Sequence, residues 1–406
     1  MDLRNLPEGL SPEERCNERR KRMEEELGVE LSHAAANDEI IGSAEENNCE
    51  QMFGTVPLPV GCAGPLTFAV STGERTTVHL PLATTEGALV ASVNRGCKVL
   101  SGTNVHTTSE HHGMTRSIAF QVAPVDDAQS NKSGADVHEN SPDGVRSFVD
   151  EIQNKQADWR QIAEETSSHL RIMSHDIDAR DSYVFLTLSC DTDEAMGMNM
   201  VTIAAQAVGN WIVENMKDHS PRLVTIAGNV DSDKKPSKRT HDRGRGYEVT
   251  AEVLLPGDLI ASALKTTAED MFAVADAKLN AGSDIAGALG ANLHAANIIA
   301  ALYLATGQDA AHVVEGSLAD TTVSLSGDDL VVSTRLPAIL VGVCGGGTAL
   351  PAQHQCLQML LKEETALHPC RQVAECVGAA VLAGEISLLA AQASHTLASA
   401  HKKHAR

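Results

Sequence analysis

Between Ile118 and Ile226 the chain sets out one order of elements: strand, helix, strand, strand, helix, strand. Ile118–Val122 is a short apolar strand. Val145–Thr166 carries Phe148, Ile152, Trp159 and Ile162 at helical spacing. Leu170–Met173 and Tyr183–Cys190 read as strands about a turn at Asp178–Asp181. Ala195–Met216 is a long apolar helix, and Leu223–Ile226 closes the run. A β-α-β-β-α-β order is the split βαβ pattern of a ferredoxin-like unit, and it leaves few topologies open. The run starts and stops inside a chain of 406 residues, so it reads as a domain inserted in a larger one. At roughly 150 residues per domain, that length suggests two or three domains. The expected fold class is α+β.

Upstream, Ser11, Pro12 and Glu14 make a capping-box start for a charged helix over 11–28, on the surface or against a partner subunit. Thr55–Phe68, with three prolines, is a non-helical loop running into a strand. Leu66–Val70 and Thr76–Leu80 flank a hairpin turn. Thr84–Gly102 has Leu89, Val93, Cys97 and Leu100 at helical spacing, with Thr85 as its cap. Asp126–Gly144 is a polar surface insertion. From Tyr247 strands alternate with Ala-rich helices, ending in a long helix from about Pro369 to Ser399.

Composition excludes several classes. Lys and Arg number 32 against 54 Asp and Glu, a net charge of −22 that argues against a nucleic-acid or anionic-membrane binder. Hydrophobic residues reach 42%, enough for a core, but aromatics only 3%, so that core is built from Ala, Val, Leu and Ile. No apolar run approaches the ~18–20 residues of a membrane helix, and the acidic N-terminus is no signal peptide. Nine cysteines are scattered singly with no Cys-x-x-Cys, which fits neither a zinc ribbon nor a disulfide frame. The expectation is a cytoplasmic protein.

Four segments put polar residues where a purely structural element would not. Glu86 follows Thr84-Thr85, although a Glu in a first helical turn is ordinarily a dipole partner. Gly228–Pro236 presents Asp233, Lys234 and Lys235 in a Gly/Asn/Pro-framed loop. Adjacent loop lysines are usually just solvated, yet in a chain this acidic they suit an anion or oxyanion. Glu194–Met200 opens a helix after a strand, where free N–H groups hold phosphate, unless its methionines are simply core. Gly345–Thr348 follows a β run and allows close backbone approach. No Gly-x-Gly-x-x-Gly marks a Rossmann site. Gly307 reads as a helix C′ residue with Asp309 as a cap just beyond. His395, His401 and His404 cluster in the tail without the Cys or carboxylates a metal would want.

Together these segments resemble the 3-hydroxy-3-methylglutaryl-CoA (HMG-CoA) reductase family, soluble type of archaea and eukaryotes. The resemblance is carried by VPLPVGCAGPL (56–66), LPLATTEGALVASVNRGCKVL (80–100), HGMTR (112–116), EAMGMNM (194–200), GNVDSDKKPS (228–237), GRG (244–246), HAANIIAALYLATGQDAA (294–311), GGGTALP (345–351), CLQML (356–360) and AGEISLLAA (383–391). It runs from about Glu50 to the C-terminus and implies a four-electron reduction of HMG-CoA to mevalonate by two NADPH, without a metal. The implied domains are an N-terminal segment (1–50), a large HMG-CoA-binding domain (51–116 with 227–406) and a small NADP(H)-binding domain (117–226). Glu86 resembles the proton donor, Lys234 the oxyanion-holding lysine, Asp309 the aspartate that keeps Glu86 protonated, and His401 the acid for the CoA thiolate. Arg116, Asp233, Lys235, His294 and Asn297 match substrate-binding positions. Glu194, Met196, Gly197, Met198, Asn199 and Gly345, Gly346, Gly347 and Thr348 match cofactor contacts. The resemblance also implies a homodimer or homotetramer with active sites between subunits. Ala227, Glu194, Gln51 and Asp284 depart from the family pattern. Rival readings are the reverse oxidation of mevalonate with NAD, and a paralogue that binds CoA or nucleotide without turnover.

Overall fold

The computed structural model describes residues 2–122, 142–362 and 365–395. Most of the expected polar insertion, and His401, lie outside the described residues. In chain order the principal elements are α1 (Pro12–Leu27), β1 (Val60–Ala69), β2 (Arg75–Ala83), α2 (Leu89–Leu100), β3 (His106–Gln121), α3 (Pro142–Asn154), α4 (Gln156–Glu164), β4 (Arg171–Arg180), β5 (Tyr183–Asp191), α5 (Met198–Asn215), β6 (Arg222–Thr225), α6 (Lys238–Arg243), β7 (Gly246–Leu255), α7 (Ala268–Ala275), α8 (Ala295–Thr306), β8 (Asp320–Ser326), β9 (Asp329–Ile339), α9 (Pro351–Gln358) and α10 (Pro369–Ala393). They form two compact units, one of Met1–Glu110 with Glu248–Arg406 and the other of His111–Tyr247. The second unit spans more residues than the 117–226 that the resemblance implies for the small domain, and it takes in the 228–237 loop.

The first unit is built on a sheet in the order β2-β1-β3-β7-β9-β8, to which β3 gives its opening residues. The β1–β2 hairpin pairs Ala69 with Arg75 and runs back to Val60 opposite Ala83. α10 is the central helix. Glu375 and Glu385, both fully buried, are anchored within its length. Glu375 accepts from Ser71 N, Thr107 Oγ1 and Ser109 Oγ, and Glu385 from Leu293 N, His294 N and Thr321 Oγ1. Three donors per carboxylate replace the hydration that burial removes. α10 is also long and apolar enough to cross a membrane, with mean hydropathy 1.7, which corrects the expectation that no such segment exists; 94% of that stretch is buried inside the protein. Where α2 meets α10 the backbones touch, since a Cβ on Gly96 would lie 1.9 Å from Ala383 O.

α1 starts with the capping box read from the sequence, Ser11 and Glu14 bonding each other's backbone N–H. It does not need a partner subunit to bury one face. Cys16 packs with Ile41, Ala44 and Met52, while Arg15 and Arg19 clamp Glu45, the latter at 2.8 Å.

The second unit is an antiparallel sheet in the order β4-β5-β3-β6. Met114 pairs with Cys190 and Gln121 with Tyr183, and β4 and β5 form a hairpin. One apolar core joins sheet and helices through Ile118, Phe120, Phe148, Ile152, Trp159, Leu186, Leu188, Val201 and Val208, none with exposed surface. Trp159 donates its indole N–H to Ile152 O and meets His175 edge-on. The helix expected over Val145–Thr166 is two, broken at Lys155.

Candidate active site

The loop after β6 is shaped by residues in the left-handed region, where non-glycine side chains are costly. Asn229, Ser232 and Lys234 have φ of 65°, 53° and 56°. Backbone bonds Ser232 N→Asn229 O and Lys235 N→Ser232 O close successive turns, and Gly228 N bonds Ser117 O on β3. Lys234 and Lys235 are exposed, and Lys235 Nζ returns to Asp233 O at 2.9 Å.

Beneath this loop lies a cluster of two guanidiniums and two carboxylates. Arg245 is 1% exposed and pairs with Asp233 Oδ1 at 3.1 Å. It also donates Nε to Thr115 Oγ1 at 2.8 Å and reaches Met198 Sδ at 3.3 Å. Arg116 donates Nε and Nη2 to Thr202 Oγ1 at 3.2 and 2.9 Å, and its Nη1 stands 3.6 Å from both Asp231 and Asp233. The structure therefore brings together Arg116 and Asp233, both anticipated, with Arg245 and Asp231, which were not given roles. The GRG triplet was the only signal for Arg245. Gly244 must be glycine there, because a Cβ would lie 2.3 Å from the His112 ring.

Glu194–Asn199 lead into α5. The helix starts at Met198 rather than Ala195, because Gly197 takes φ 88° and a Cβ on it would collide with Thr192 at 2.3 Å. The Thr192 hydroxyl ties this turn through Ala195 O and Met196 O. Among the described residues no side chain caps α5, whose N-cap position is Gly197.

In the first unit Glu86 is exposed, but not on a helix. Ala88 takes φ 72° and α2 begins only at Leu89, while Thr84 Oγ1 accepts from Glu86 N at 3.0 Å. The expected helix from Thr84 with Thr85 as its cap is thus corrected to a turn that holds Glu86 ahead of α2. Gly307 ends α8 in the left-handed conformation and Asp309 caps the following turn through Ala311 N at 3.0 Å. Its Oδ2 is 3.7 Å from the buried His312, which in turn faces Glu315 at 3.3 Å. Gly345–Thr348 pack directly on this segment: a Cβ on Gly307 would lie 2.2 Å from Gly347 O. Gln308 fastens the same junction, exchanging two hydrogen bonds of 2.9 Å with Gly342. His294 and Asn297 sit on the opening turn of α8, whose entry is held by Glu385 and by Asn292 Oδ1 on Ala295 N.

A family model described as hydroxymethylglutaryl-coenzyme A reductase matches residues 15–406. The chain belongs to this family. It is thereby an oxidoreductase of the kind that acts on HMG-CoA. The 3-hydroxy-3-methylglutaryl-coenzyme A reductase of Haloferax volcanii is 39% identical over 394 residues, covering 96% of this chain and 92% of its own. That of Methanothermobacter thermautotrophicus is 38% identical over 395 residues with the same coverage. Among solved structures, the class II reductase of Streptococcus pneumoniae bound to NADPH aligns with a TM-score of 0.65 at 17% identity, over 92% of this chain and 96% of that one. At that identity the likeness is one of fold. The family match places the motifs quoted from the sequence within one unbroken framework.

Proposed function

We propose that this chain reduces HMG-CoA to mevalonate and free CoA with two NADPH, at the mevalonate-forming step of isoprenoid synthesis. The observation that carries the reading is the family match over residues 15–406, and the roles given to Glu86, Lys234, Asp309 and His401 are those the sequence resemblance implies. NADPH supplies hydride. The chain's own residues then manage charge. Each transfer develops negative charge on the same oxygen, so a fixed ammonium at Lys234 serves both steps. Glu86 gives its proton to the mevaldehyde oxygen, and Asp309 keeps Glu86 protonated by like-charge repulsion. A thiol of pKa ~8.5 leaves as thiolate and must be kept from re-adding, which is the task of His401.

Arg116, Asp233, Lys235, His294 and Asn297 bind HMG-CoA in this reading. The α5 entry at Glu194–Asn199, together with Gly345–Thr348, receives NADPH. The second unit acts as the NADP(H)-binding, ferredoxin-like domain, and its β4-β5-β3-β6 order supports that role. The enzyme works in the cytoplasm as a homodimer or homotetramer.

The test is direct. Purified protein with HMG-CoA should consume two NADPH for each CoA thiol released and each mevalonate formed. Consumption of one NADPH per CoA, or turnover only with mevalonate and NAD, would overturn the reading.

A further inference from the structure

Asp231 is an acidic side chain in the second unit that the proposed chemistry does not use. Its side chain is 1% exposed, although the neighbouring Lys234 and Lys235 face solvent. Among the described residues its Oδ2 has no hydrogen-bond partner, and it stands 3.6 Å from Arg116 Nη1. The charged groups that face it are Arg116 from β3, Arg245 just ahead of β7, and Asp233 from its own loop. From α5 the neighbour is the neutral hydroxyl of Thr202, which holds Arg116. Burial pushes the Asp231 carboxyl above the ordinary aspartate range. The two guanidiniums oppose that rise, and Asp233 adds to it.

Arg116 does not need Asp231 for its orientation. Two hydrogen bonds to Thr202 fix the guanidinium plane, and Thr202 is itself tied to Met198 O at 2.7 Å. At 3.6 Å neither aspartate makes a hydrogen bond to Nη1. The charge of Nη1 is thus offset while its N–H groups stay available to an oxygen that comes closer. Two guanidiniums and two carboxylates sum to zero, a poor electrostatic host for an anion.

We propose that Asp231 is a specificity-determining counter-charge for Arg116, which weakens the site's hold on the substrate carboxylate and makes that hold tighten as pH falls. The proposal rests on the reading of Arg116 as an HMG-CoA-binding residue and gives its guanidinium the substrate's carboxylate. A carboxylate seated on Nη1 shares that nitrogen with Asp231 and is repelled by it. Once Asp231 takes up a proton, the cluster carries one net positive charge and the repulsion is gone. Because burial raises the Asp231 carboxyl, this occurs at a higher pH than for an ordinary aspartate.

Asp231→Asn in the full chain tests it, with free 3-hydroxy-3-methylglutarate and CoA as separate inhibitory probes. At neutral pH the inhibition constant for hydroxymethylglutarate and the KM for HMG-CoA should both fall by about tenfold, the scale of one like-charge contact in a partly screened site. The KM for NADPH and inhibition by CoA alone should not move. The tightening of wild-type binding on acidification should disappear in the variant. Unchanged or weaker hydroxymethylglutarate binding, an equal gain for CoA, or a surviving pH dependence would each overturn the proposal. Asp231→Ser makes the same charge change with a smaller side chain and decides the matter if the asparagine variant does not fold. Arg116→Gln separates the two readings. If it leaves hydroxymethylglutarate binding intact, the assignment of Arg116 fails whatever Asp231 does.

Discussion

Replacing Arg245 with methionine removes every donor of a guanidinium that is 1% exposed while keeping most of its aliphatic volume. Asp233, whose side chain is 20% exposed, loses its cation at 3.1 Å and keeps Arg116 at 3.6 Å. Breaking a buried pair costs about 3–5 kcal/mol, and the partial exposure of Asp233 points to the lower end, about 3 kcal/mol. The hydrogen bond to Thr115 Oγ1 adds about 1 kcal/mol. A chain of two units need not melt in one transition, so a global midpoint would blur the effect. Hydrogen exchange reads it locally. Amides of β3 beyond Met114, of β5 and of α5 should lose protection by between about two and three orders of magnitude, since 1.4 kcal/mol is tenfold. Amides of α10 should hold. A loss below about tenfold in the second unit, or an equal loss in α10, would refute the claim that this guanidinium organises its surroundings.

Lys234→Ala should cut turnover by ~10²–10³ without changing hydrogen exchange, since the side chain is exposed; activity within about threefold of wild type would remove Lys234 from the oxyanion role. His401→Gln should slow reduction of HMG-CoA far more than reduction of free mevaldehyde, which has no thiolate to release, and equal losses would make His401 merely positional. Arg15 and Arg19 hold the Glu45 carboxyl below the usual glutamate range. That stabilisation is complete above the unfolded value of about 4.3 and fades as pH drops below it through the folded value. Protection factors of α1 amides, taken against the intrinsic exchange rate at each pH, should therefore fall on acidification in wild type, and a Glu45→Gln variant should show no such step.

Local signals read well from the sequence, and signals that depend on distant partners did not. The capping box of α1 and the β1–β2 hairpin follow from residues within a turn of each other. The start of α2 is not legible in the sequence, because Ala88 adopts φ 72° against its own preference, which no residue type announces. Only the last few residues of β3 stand out in the sequence, because His106–Arg116 is a polar run. Its Thr107 is nonetheless buried, since Glu375 on α10 supplies a partner from far along the chain. Of the candidate site, the individual motifs were legible. The ion cluster was not, because Arg245 becomes interpretable only once β3 and the 228–237 loop are known to meet it.

Both tryptophans of the chain, Trp159 and Trp211, belong to the second unit, and Trp159 is wholly buried against Ile152 and His175. Indole emission is thus an optical label for that unit alone, placed there without engineering. A denaturant titration followed by fluorescence would track its opening, while circular dichroism would sum the helices of both units. A reduced nicotinamide absorbs where indole emits, so its arrival near α5 would quench this light by energy transfer. A ligand that absorbs nothing at those wavelengths would draw no energy from it.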